Sequence, residues 1–89
     1  MAKSENELHH ECMNRFISLA NEMKDEGVAI GVVSAGMMTA SAVYATFTAV
    51  GNDGSLTDSG VDKMAAAYRN QLDQVQQAKR REQGQQGDG

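Results

Sequence analysis

Eighty-nine residues make at most one domain, of a size at which a single hydrophobic core is only marginally stable. The chain has no proline, no tryptophan, one cysteine and a net charge of −4, and the residues between its glycines are largely helix formers. That balance excludes an internal disulfide, opposes nucleic-acid binding, which needs a positive surface to displace counterions, and points to an all-α chain.

No internal repeat is visible, so a solenoid is not expected. The polar start (MAKSENELHH) is unlike a secretory signal, and with a lone thiol it predicts a reducing cytoplasmic setting. Two Phe and two Tyr leave a thin core for a monomer, so a homo-oligomer, most simply a dimer, is the expected state.

The first element is expected over about 4–26. Ser4-Glu5-Asn6-Glu7 has the capping-box pattern, in which Ser4 and Glu7 satisfy each other's end of the unpaired backbone donors. At roughly 100° per residue, Leu8, Cys12, Phe16, Leu19, Ala20 and Met23 share one face, while Glu7, Glu11, Asn14, Ser18, Asn21, Glu22 and Asp25 share the other. Gly27 supplies the stop.

From Gly27 to Asn52 the sequence (GVAIGVVSAGMMTASAVYATFTAVGN) carries no charge. Val28 to Val33 reads either as an extended connector or as an early helix start, and Ser34 is a fitting N-cap, so the second helix is placed at 34–50 with Gly51 closing it. Its wheel is lopsided in size: Met37, Ala40, Val43, Tyr44, Phe47 and Val50 form a bulky side, expected to fill the core. Ser34, Ser41, Ala42, Ala45, Thr46 and Ala49, with Met38 among them at four-residue spacing, form a small-residue side. That side lets a second helix approach closely and is the expected self-association face.

Asn52-Asp53-Gly54-Ser55 is a turn by composition. Thr57 or Ser59 then caps a third helix, placed at 59–82, with Val61, Met64, Ala65, Tyr68, Leu72 and Val75 as its apolar stripe. Lys79, Arg80 and Arg81 complement the dipole at its end. From Gln83 the remainder (QGQQGDG) has nothing apolar to bury and is expected to be a disordered tail, leaving a single helical domain over 1–82. The fold class is therefore a small three-helix bundle.

The uncharged run is long enough to cross a bilayer, but three features favour a protein interior. Its apolar character comes from Ala, Met and Thr without Leu; both flanks are acidic; and the stripes of the first and third helices need a partner. A single span through residues 28–50 is the alternative.

His9-His10-Glu11-Cys12 is the densest set of chemical groups. His9 with Cys12, and Glu7 with His10, have ligand spacings, but the pairs point in different directions and no later residue completes a site. No oxyanion donor or orienting group accompanies a Cys12–His9 pair. No metal, cofactor or catalytic residue is expected, and a metal- or thiol-dependent activity on His9, His10 and Cys12 is the rival reading. Asn52 to Asp58 lacks the alternating oxygens and closing Glu of a calcium loop. Met13, Met23, Met37, Met38 and Met64 read as gap fillers of a core poor in aromatics. The acidic face of the first helix (Glu7, Glu11, Glu22, Asp25) and the basic end of the third read first as solvated surface, and second as docking surfaces for a protein partner of unknown identity.

Phe16-Ile17-Ser18-Leu19-Ala20-Asn21-Glu22, with Val33-Ser34-Ala35 and Ala42-Val43-Tyr44-Ala45, resembles a family of short proteobacterial proteins named domain of unknown function 3144. The likeness covers most of the first two helices, and the third matches in general character only. It implies a small, helical, cytoplasmic, bacterial protein and no mechanism; Asn21 comes with the Phe-Ile-x-Leu-Ala-Asn run and falls on the polar face.

Overall fold

The computed structural model describes residues 2–86, and among them the protein is three helices with no strand: α1 (Glu5–Asp25), α2 (Ile30–Val50) and α3 (Asp58–Gln86). The all-α reading holds, and the element ends show why these residues form these helices.

At the start of α1 the Glu7 backbone N–H donates to Ser4 Oγ at 3.1 Å, and the Ser4 N–H donates back to Glu7 Oε1 at 3.2 Å. This is the expected capping box, and it satisfies two groups that the first helical turn leaves unpaired. Glu5 and Glu7 also place negative charge where the dipole favours it. At the other end Gly27 takes a φ of 103°, its N–H donates to the Lys24 carbonyl at 3.0 Å, and the Val28 N–H reaches back to the Met23 carbonyl at 3.1 Å. That pair of bonds is a Schellman closure, which requires a left-handed residue and so selects glycine.

The start of α2 corrects the sequence expectation. The helix begins at Ile30, not at Ser34, because the Ala29 carbonyl accepts from both Val32 (3.0 Å) and Val33 (3.1 Å). The β-branched Ile30, Val32 and Val33 lose only a few tenths of a kcal/mol each in a helix (about 0.7 at most), and Gly31 about 1 kcal/mol. The Schellman turn hands the chain directly into a new first turn, so the Ser34 hydroxyl has no capping role. The uncharged run from Ile30 to Val50 becomes one helix, ended by Gly51 at φ 78° with its N–H on the Phe47 carbonyl at 2.8 Å.

Of the two candidate caps for α3, Thr57 is used: Thr57 Oγ1 accepts from the Gly60 N–H at 3.1 Å, and its carbonyl accepts from Val61 at 2.9 Å. The helix therefore starts at Asp58 and runs to Gln86, past the expected end at 82, since Gln and Glu support helix and no proline intervenes. The rest of the expected tail, 87–89, lies outside the described residues.

Within the span expected to be one domain, contacts cluster into two compact units, Met1–Tyr44 and Ala45–Gly89, divided inside α2. In the first, the shielded side chains are Ala20, Met23 and Val33, all within about two turns of the 26–29 connection. In the second they are Ala45, Thr46, Leu56 and Met64, with Gly60, around the 51–57 connection. There the chain folds back tightly: a Cβ at Gly54 would lie 2.7 Å from both Val50 Cβ and the Val50 carbonyl oxygen. Among the described residues Val33, 9% exposed, is the one buried hydrophobic side chain.

Two substitutions separate these local devices. Ser4→Ala removes the cap of α1 and is expected to cost about 1 kcal/mol. Gly54→Ala forces the 51–57 turn away from Val50 and is expected to cost about 1–3 kcal/mol, as overpacking does. Thermal melts followed by circular dichroism at 222 nm check both.

Candidate functional site

The candidate site is the lateral surface of α2 and the stripes beside it, because that is where the chain departs most from an ordinary globular protein. α2 places 21 residues without a charge in one helix of about 31 Å at 1.5 Å per residue. It is long and apolar enough to cross a membrane, and only a small share of it is buried. The bulky side expected to fill a core is open: Val43 is 64% exposed and Tyr44 70%, with Met37, Phe47 and Val50 also exposed. Of the expected self-association face, Ser34, Met38, Ser41, Ala42 and Ala49 are exposed, while Ala45 and Thr46 are half-buried at the 51–57 end. Thr48 donates its hydroxyl to the Ala45 carbonyl at 2.8 Å, so one polar side chain of α2 is satisfied within its own helix.

The flanking helices repeat the pattern. Leu8, Phe16, Ile17 and Leu19 of α1 and Val61, Tyr68, Leu72 and Val75 of α3 are all exposed. The 3-4 spacing that carries these stripes was legible in the sequence; what sequence reasoning missed is that they stand open too. A pattern records which residues avoid water, not which surface covers them. Scattered exposed apolar residues are normal, but here they recur as stripes on three successive helices.

The His9/His10/Cys12 cluster gains no partner from the fold. The His9 and His10 rings lie 6.0 Å apart between centroids at 25°, and Cys12 is a free, exposed thiol. Glu7, the carboxylate spaced for pairing with His10, is engaged in the capping box through Oε1. Among the described residues no three His, Cys, Asp or Glu side chains converge on one point. A shallow concavity beside Cys12 is walled by residues of α1, including Arg15, Phe16, Leu19 and Glu22. One helix surface does not enclose a reacting group or exclude water from it, as a small-molecule site does.

Among the described residues the surface carries one close ion pair and three looser ones. Lys3 Nζ meets Glu11 Oε1 at 2.7 Å, Lys24 meets Asp25 at 3.9 Å, Arg69 meets Asp73 at 3.8 Å and Lys79 meets Glu82 at 3.8 Å, all on exposed side chains. Such pairs contribute about 0–1 kcal/mol each. Asn21 is exposed on α1.

Compared with known proteins, residues 9–78 match the family model described as "Protein of unknown function (DUF3144)", which takes in most of α1, all of α2 and much of α3. No curated protein and no solved structure matches.

Zinc or nickel added to the purified chain is expected to leave its melting temperature unchanged. A rise that disappears in a His9→Ala/His10→Ala double variant would reveal a metal site at this cluster, since a ligand that binds only the folded state must stabilise it.

Proposed function

We take as premise that the chain belongs to the family described as Protein of unknown function (DUF3144), and we propose that it is a non-catalytic, self-associating helical module of the cytoplasm that binds other proteins. The observation that carries this reading is the burial pattern. Large hydrophobic side chains stand exposed on all three helices, with Val33 alone buried among those described. Fully burying a side chain such as Leu8, Phe16 or Leu72 is worth about 1.5–3 kcal/mol. A chain of this size has a strong driving force to cover these stripes, and further copies of itself supply apolar helix surface of matching kind. Self-association of this sort accounts for α1, α2 and α3 together. The acidic face of α1 (Glu7, Glu11, Glu22, Asp25) and the basic end of α3 (Lys79, Arg80, Arg81) then remain for a protein partner.

A second reading, a small membrane protein spanning through residues 28–50, is supported by the length, apolarity and openness of α2. A bilayer would cover α2, whose length matches a hydrocarbon core of about 30 Å. It would leave the amphipathic stripes of α1 and α3 without a cover, and for that reason self-association leads.

Light scattering coupled to gel filtration, without detergent and at tens of micromolar, is expected to show a dimer or a higher closed oligomer. Fractionation of expressing cells is expected to leave the chain in the soluble fraction. A monomeric peak would overturn the first expectation, and recovery from membranes only with detergent would favour the span.

A further inference from the structure

If copies associate, which is the premise just proposed, the pattern of α1 and α3 says how. Along α1 the exposed stripe runs Leu8, Cys12, Phe16, Leu19, and at 100° per residue Glu5 lies on the same line, one turn before Leu8. Along α3 it runs Val61, Ala65, Tyr68, Leu72, Val75, and the next position on that line is Lys79. Each apolar stripe therefore ends in a charge that occupies the seam itself, negative at the start of α1 and positive near the end of α3.

We propose that α1 of one copy packs antiparallel against α3 of a second copy. In that register Leu8 comes level with Val75, Cys12 with Leu72 and Phe16 with Tyr68, each apolar layer meeting another. The seam charges then meet as well, Glu5 against Lys79. Lys24 and Asp62 come to one edge of the pair, and the two helix dipoles oppose each other.

The parallel alternative brings the apolar layers together equally well, with Cys12 level with Ala65, so hydrophobicity does not choose. Electrostatics does. Parallel packing sets Glu5 and Glu7 beside the Asp58 start of α3, with both dipoles aligned and two acidic first turns adjacent. The connections at 26–29 and 51–57 are short. In a closed three-helix fold, connections of this length alternate the helix directions and would make α1 and α3 of one chain parallel. The favourable antiparallel pairing consequently needs another copy, and the occupant of these stripes is a second copy of this chain.

The native Cys12 is the only cysteine, which makes it a ruler for the register. Leu72→Cys is expected to give, on mild oxidation, a covalent dimer whose bridged peptide joins Cys12 to position 72 of the other copy. Ala65→Cys lies seven residues, about 10 Å, off that layer and is expected not to bridge to Cys12. Glu5→Lys and Lys79→Glu are each expected to weaken self-association about tenfold, and the double variant to restore it to within about twofold, as swapped charge pairs do. The full chain is used throughout, with circular dichroism confirming each variant's helix content and gel filtration its size. A chain monomeric at tens of micromolar overturns both the self-association reading and this pairing. A dimer in which Cys12 bridges to position 65, bridges within one chain, or gains no rescue from the charge swap overturns the pairing alone.

Discussion

The structure depends on one constraint: a helix of 21 uncharged residues has to be shielded from water, and the chain supplies little to shield it with. α2 has no charged residue and only Val33 buried, while Tyr44 and Ile30 are each 70% exposed. In a larger domain other elements would lie over such a helix. Here the neighbouring helices present narrow stripes of their own, and those stripes are open as well. The exposed apolar surface is thus a property shared by all three helices, which is why an answer that covers only one of them is incomplete.

The ends of the helices tell a different story from their sides. Ser4 and Glu7, Gly27 and Val28, Gly51, and Thr57 with Gly60 satisfy the backbone groups that helix termini leave unpaired. Each device is made from residues within a few positions of one another, so it forms whatever lies alongside. Lateral stabilisation has no such local source. The result is a set of well-terminated helices whose apolar faces stand open.

That division also explains how much could be read from the sequence. The capping box, the stop at Gly27 and the stop at Gly51 were legible, because caps are local chemistry and their residues are adjacent; for α3 the sequence left Thr57 and Ser59 as alternatives, and Thr57 is the one used. The start of α2 was not. Val28, Ile30, Val32 and Val33 favour strand by propensity, but the Schellman closure delivers the chain into a helical first turn, and tertiary continuity outweighs a few tenths of a kcal/mol per residue. The seven residues of the expected self-association face do share α2, five of them exposed, and the stripes of α1 and α3, legible in the sequence as surfaces needing a partner, stand open as well. Periodicity says that Leu72 and Phe16 avoid water; it does not say whether the cover comes from the same chain.

The turn at 26–29 has a bearing on the order in which the chain acquires its shape. The N–H groups of Glu26, Gly27 and Val28 all bond back to carbonyls of α1, and the Ala29 carbonyl is taken by the first turn of α2. No residue of slack separates the two helices. The corner is therefore written in the hydrogen bonds of the last turn of α1 and exists only once that turn has wound. Contacts this close in sequence cost little loop entropy and form quickly. The first helical corner is therefore in place early, ahead of any contact between residues distant in sequence.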